Sequence, residues 1–214
     1  MAEPLDAVTA IHNALRGDMK RIDATALDAA RGKAGLALTA ESFQFFNEVL
    51  VWHHKGEELG IFPALEKVAP SVAEAYLMDH HGLDTASNNL SSAVSANDRL
   101  ETARASAAFK FHLYLHLDKE EAHLYRLLRE RTPMPEQGEA VGVMASTVPP
   151  ERFPELVAWM FPLLGHTDQE NMTRIWQTVL PADRFTMMRQ LIQKALNSDD
   201  WAELTRRIPT LKED

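Results

Sequence analysis

The chain contains no cysteine. That absence excludes disulfides, thiolate ligands and a cysteine nucleophile. Any metal would have to be held by His, carboxylate or Tyr. Long apolar runs are missing too. No stretch approaches the ~20 residues that span a bilayer, so no membrane partner is expected. Residues Met1 to Leu15 carry acids and a His where a signal peptide needs a basic start and an apolar core. The expectation is a cytoplasmic protein. Basic charge is in deficit: 22 Lys and Arg against 31 Asp and Glu give a net charge of −9. Without a basic stripe, nucleic acid is not an expected partner. Strand patterning is also absent.

What the chain does have is histidine, nine in all. They cluster as His53 and His54, His80 and His81, then His112, His116 and His123, with His12 and His166 alone. Two stretches look like copies of each other. His53 to Leu65 lies over His116 to Leu128 without gaps. His53 falls on His116, Glu57 on Glu120, Glu58 on Glu121 and Phe62 on Tyr125. In each copy a His precedes a Glu by four residues, which on a helix sets both on one face, one turn apart.

The periodicity predicts a first helix from Asp6 or Thr9 to about Leu27 or Ala30, with Val8, Ile11, Leu15, Met19 and Ile22 inward and His12 at the stripe's edge. Residues 31–39 read as a loop. Helix two starts at Thr39 or Ser42 and carries Phe43, Phe46, Val49, Leu50, His53, Glu57 and Ile61 inward, with Pro63 as a possible kink. Helix three starts at Pro70-Ser71. Its stripe includes Tyr76, His80, Leu83, Ser87 and Leu90, with Asp84 four residues after His80. Helix four covers about 101–130, with Phe109, His112, His116, Glu120, His123 and Leu127 inward. Burying unpaired carboxylates is costly, so inward Glu implies a partner or a metal. Beyond Thr132-Pro133-Met134-Pro135, shorter helices are expected at about 135–146, 151–164, 167–179, 182–196 and 199–207.

The expected fold class is all-α. Four antiparallel helices with short loops make an up-and-down bundle over residues 1–131. Residues 132–214 form a C-terminal helical extension packed on it. Inward ligands then converge from four helices: His12, His53, Glu57, His80, His116 and Glu120. Imidazole with carboxylate and no thiolate suits iron or manganese, with zinc also possible. A structural zinc needs only four ligands, so six candidates argue for two metals. His54, Glu58, His81 and Asp84 are further candidate ligands; His112 and His123 are further candidate ligands, or partners that orient ligands.

These residues carry a resemblance. The chain resembles the hemerythrin-like, or HHE cation-binding, family over about residues 5–130, through His12 in Ile-His-Asn-Ala-Leu-Arg, His53 to Leu65, Asp79-His80 with Leu83, and His116 to Leu128. Ala158-Trp159-Met160 and Val179-Leu180-Pro181 more weakly resemble the tail of the hemerythrin-like units in plant iron-sensing ubiquitin ligases. No segment resembling an attached ligase accompanies them. The resemblance implies two iron ions, oxo- or hydroxo-bridged, inside the bundle, with His12, His53, Glu57, His80, His116 and Glu120 in the family's ligand positions. His54 and Glu58 repeat the spacing one residue on. The self-alignment, and Pro63 six residues after Glu57, favour His53 and Glu57.

The chain departs from the oxygen-carrying hemerythrins. They have a His-x-x-x-His pair on the third helix, and on the fourth a His followed five residues later by Asp. Here helix three offers His80 with Asp84, and helix four has a four-residue spacing to Glu. Reversible oxygen carriage is therefore not the first expectation. A centre that binds or reacts with O2, peroxide or NO is, in stress response or iron homeostasis, with Tyr76, Tyr114 or Tyr125 near it. Peroxide turnover would follow if substrate reaches the site. An alternative is an iron or redox sensor that signals through the C-terminal helices without turnover. A third is a helical bundle without metal.

Overall fold

The computed structural model describes residues 2–212. Among them there is no strand. Helix α1 is Asp6–Ala30, α2 Ala37–Gly56, α3 Phe62–Val68, α4 Ala73–Ser95 and α5 Arg99–Lys119. Then come α6 Arg126–Arg131, α7 Met134–Ala145, α8 Phe153–Met160, α9 His166–Val179, α10 Ala182–Ala195 and α11 Ser198–Arg207. These match the helices that periodicity predicts. Helix two starts earlier, at Ala37, and helix three later, at Ala73.

One local feature was not predicted. The second and fourth bundle helices each contain a π turn, Glu57–Ile61 between α2 and α3, and Glu120–Tyr125 between α5 and α6. A π turn bonds i to i+5 rather than i to i+4. Both begin on the inward glutamate of the repeated motif. The first also explains how Pro63 is accommodated: it sits in the first turn of α3, just after the ladder has already been rearranged.

The chain folds as two compact units. The first comprises residues 15–147 and holds most of α1 with α2 to α7. The apolar stripes meet as the sequence pattern requires: Leu15, Met19, Ile22, Phe46, Leu50, Leu83, Leu90, Phe109 and Leu113 are almost fully buried. Each such side chain contributes about 1.5–3 kcal/mol. Phe109 packs edge-on against Phe43 and Phe46, with ring centres 6.0 and 5.9 Å apart. Helix ends are tied down locally. Asp98 caps α5 by accepting from the Glu101 N–H at 3.0 Å. Glu66 accepts from the Ser71 and Ala73 N–H groups ahead of α4.

Helix α7 belongs to this unit. It lies on the first π turn at backbone distance. A Cβ on Gly60 would fall 2.4 Å from the Ala140 carbonyl oxygen, and one on Gly56 2.5 Å from Met144 Cγ. Only glycine permits that approach.

The second unit joins residues up to Ala14 with those from Val148 onward. Its core gathers Ala10 and Ala14 of α1 with Val157, Met160, Phe161, Met172, Ile192, Leu204 and Ile208. Trp159, Trp176 and Trp201 pack against it, half-buried. No helix among the described residues is long and apolar enough to cross a membrane.

Candidate metal centre

The inward faces of α2, α4 and α5 bring a polar cluster into an apolar interior. His53, Glu57, His80, His116 and Glu120 are each at most 3% exposed. Within each helix the four-residue spacing works as expected. His53 Nε2 is 3.3 Å from Glu57 Oε2, and His116 Nε2 is 3.2 Å from Glu120 Oε1. Between helices, His80 Nε2 lies 3.3 Å from Glu57 Oε2 and 3.9 Å from Glu120 Oε1. His12, fully buried on α1, falls in with them. Candidate ligand atoms of His12, His53, Glu57 and Glu120 all lie within 4.8 Å of one another. The same holds for Glu57, His80, His116 and Glu120. The two sets share both glutamates.

The donor atoms fit a cation. Nε2 of His80 and both ring nitrogens of His116 are buried and make no hydrogen bond. Such nitrogens are costly in a protein interior unless something else satisfies them. Glu58, on the first π turn, holds His80 Nδ1 at 2.9 Å. A proton on Nδ1 leaves the Nε2 lone pair facing Glu57 and Glu120, the tautomer a metal needs. Asp79 lies 3.7 Å from His116 Nδ1 and Asp84 3.7 Å from His54 Nδ1, so these two imidazoles also have a carboxylate at their outer edge.

Charge balance points the same way. Burial holds the Glu120 carboxyl well above the usual carboxylate range, and neighbouring Glu57 adds to the rise. Burial pushes His116 down to about 2. It lowers His54 as well. His80 goes the other way: burial opposes its protonation, but Glu57 and Glu58 outweigh it and raise the pKa. A cation among the carboxylates would relieve the repulsion that Glu57 and Glu120 exert on each other.

Tyr125 completes the cluster. Five residues after Glu120, it would point away from that face on an α-helix. The π turn brings it inward, 2% exposed, and its hydroxyl donates to Glu57 Oε1. Burial raises the phenol well above its ordinary pKa, with Glu57 and Glu120 adding to the effect. Phe62, in the matching position after Glu57, stacks on His80 with ring centres 5.2 Å apart.

Residues 3–128 match the hemerythrin HHE cation binding domain, more than half the chain. The chain belongs to that family. It is also similar to the zinc finger protein BRUTUS of Arabidopsis thaliana, 24% identical over 188 residues, which is 85% of this chain and 15% of that protein. Two BRUTUS-like zinc finger proteins of the same plant are 23 and 24% identical over 94 and 88% of the chain, covering 17 and 16% of their own lengths. The chain thus spans about a sixth of the curated relatives it matches. No solved structure matches.

Within this HHE domain the other candidates fall in three groups. His54 is buried, stacked on His80 at 4.0 Å, and shares a third cluster with His80 and His116. Glu58 and Asp84 stand outside these clusters and hold the outer nitrogens of His80 and His54. His81, His112 and His123 are exposed. For His112 and His123 this corrects the expected inner face of helix four. The buried stripe runs Phe109, Leu113, His116, Leu117, Glu120, Leu124, Tyr125, and His112 lies off its edge. His123 is turned outward because the wider π turn shifts each residue after Glu120. Of the tyrosines, Tyr125 alone is seen to bond a cluster residue: Tyr114 donates to the Arg16 carbonyl at 2.7 Å and Tyr76 to the Lys119 carbonyl at 3.4 Å. The orienting role of Glu58 was not anticipated. Its signal was the repeated His-x-x-x-Glu spacing, read there as a competing register.

Proposed function

We propose that this HHE domain binds two iron ions and that the centre meets O2, peroxide or NO. The ligands in this reading are His12, His53, Glu57, His80, His116 and Glu120. The observation that carries it is the sharing of Glu57 and Glu120 between two four-residue clusters. Two carboxylates common to two sets of imidazoles are what a pair of neighbouring cations requires. A donor set of nitrogen and carboxylate oxygen without sulfur favours iron over softer metals.

Bound iron would supply one-electron redox chemistry and an open position for a small ligand. The protein's own contribution is orientation and insulation. Glu58 fixes His80, Asp79 stands behind His116, and Tyr125 places an O–H beside Glu57. Leu50, Ile61, Leu83 and Leu113 help form an apolar surround that keeps bulk water out. A role in stress response or iron homeostasis is consistent with such a centre.

The test is metal content with an absorption spectrum, on protein purified without a His-tag and reconstituted with ferrous iron under nitrogen. About two irons per chain with charge-transfer absorption is the expected result. One zinc per chain, or no metal retained, overturns the di-iron reading. Multiple turnovers of peroxide by the loaded protein would indicate an enzyme. Stoichiometric reaction, with fluorescence changes at Trp159, Trp176 or Trp201 on iron removal, would indicate a sensor instead.

A further inference from the structure

The outward face of α5 carries a symmetric pattern. Phe111 lies at its centre, 65% exposed. Four residues after it is Leu115, 51% exposed, and four before it is Ala107, also exposed. Seven residues after it is Asp118 and seven before it Arg104, with side chains 70 and 68% exposed. Leu100, 57% exposed, extends the stripe toward the start of the helix. At 3.6 residues per turn these positions share one face. A Phe and two Leu standing out of one helix face form an apolar patch of the kind that marks a contact site.

We infer that this face pairs with a second copy of the same chain, α5 running antiparallel to its counterpart about a two-fold axis at Phe111. In a two-fold contact each residue opposite another is matched by the reciprocal pair. Residues equally far from Phe111 on either side therefore meet. Arg104 faces the opposite copy's Asp118, twice over. Leu115 faces the small Ala107, so large fits against small, also twice. The two Phe111 rings meet on the axis, where an aromatic pair adds to burial. A parallel in-register pairing would instead set Arg104 on Arg104 and Asp118 on Asp118. The charge pattern selects the antiparallel arrangement and a partner with this same pattern.

Neither charge is committed elsewhere in a way that prevents this. Arg104 lies 3.8 Å from Glu101 in an exposed contact, which holds a side chain only weakly. Asp118 meets Arg16 through one oxygen, and Arg16 also holds Glu121. One helix pair buries less than a standard interface, so the dissociation constant is expected on the order of micromolar.

The experiment is sedimentation equilibrium of the full chain over a concentration series reaching the high micromolar range. The expected result is a monomer–dimer equilibrium. Phe111→Glu puts two like charges on the axis and should weaken it by about tenfold or more. Arg104→Glu sets a carboxylate against the opposite copy's Asp118, and Asp118→Lys sets an ammonium against its Arg104, so each variant alone should be monomeric. Mixed together, the two variants place opposite charges across the contact again and should form a one-to-one heterodimer. All three positions are exposed, so the helical circular dichroism should not change. A wild-type monomer at every concentration overturns the inference. So does a dimer that survives Phe111→Glu, or a mixture of the two charge variants that stays monomeric.

Discussion

The two π turns begin alike and end differently. Each starts on the glutamate of a His-x-x-x-Glu pair, and each carries an aromatic residue inward five positions later. After Glu57 that residue is Phe62, which stacks on His80. After Glu120 it is Tyr125, which bonds Glu57. The third residue after each glutamate differs as well. Gly60 is pressed against α7, while His123 stands in solvent. The shared half of the motif builds the metal cluster. The divergent half decides what touches it: one copy is closed over by protein, and the other supplies a hydroxyl.

The largest effect should come from the shared half. Glu57→Ala and Glu120→Ala should each abolish two-iron loading, because each glutamate belongs to both clusters. Metal analysis after reconstitution checks this. If one variant keeps full loading, the two copies are not equivalent at the centre.

A pH test sharpens the second copy. Glu120 has a raised pKa in the fold, so the folded, metal-free chain holds a proton there that the unfolded chain releases. Its contribution is full below the ordinary carboxylate pKa and declines as pH rises toward the folded value. Metal-free wild type should therefore lose stability relative to Glu120→Gln between about pH 5 and about pH 7. Urea denaturation at the two pH values measures the difference. A gain in relative stability would contradict the buried, protonated state.

Gly60 and His123 should separate next. Gly60→Ala drives a methyl into the Ala140 carbonyl and should cost about 1–3 kcal/mol, seen as a drop of several degrees in thermal melting. His123→Ala should stay within about 0.5 kcal/mol. Equal losses would mean that α7 yields easily.

A smaller loss than at Gly60 is expected at the aromatic pair. Tyr125→Phe removes the hydrogen bond to Glu57 and should cost about 1–2 kcal/mol. It should also shift the absorption of the iron-loaded protein, whereas Leu124→Ile should lower stability without that shift. An unchanged spectrum in Tyr125→Phe would leave the tyrosine a packing role alone.

Much of this was legible in the residues. The stripes of Phe43, Phe46, Val49, Leu50 and His53, and of Tyr76, His80 and Leu83, are true helical stripes, so burial followed from spacing alone. The self-alignment chose Glu57 over Glu58 for the inner position, and Glu57 is the fully buried one. What spacing could not deliver was the change of period after Glu57 and Glu120. Carrying an α-helical count across Glu120 put His123 inside and gave no reason for Tyr125 to be there. The paired signal was present, an aromatic five residues after each glutamate, but helical wheels assume one period throughout. The burial of Gly56 and Gly60 under α7 was also hidden, because a glycine in a helix records that something comes close without saying what.

The cut through α1 has a consequence for how the chain is made. Residues up to Ala14 share a core with residues beyond Val148, so a segment made before the bundle finds its partners only among residues made after it. Residues 15–147 form a contiguous unit and can assemble during synthesis. Ala10 and Ala14, buried in the finished protein among Val157, Met160 and Phe161, must wait exposed until α8 to α11 emerge. Once residue 147 has cleared the ribosome, residues 15–147 can close while Ala10 and Ala14 still lack their partners, and that is the moment when a chaperone would find most to hold.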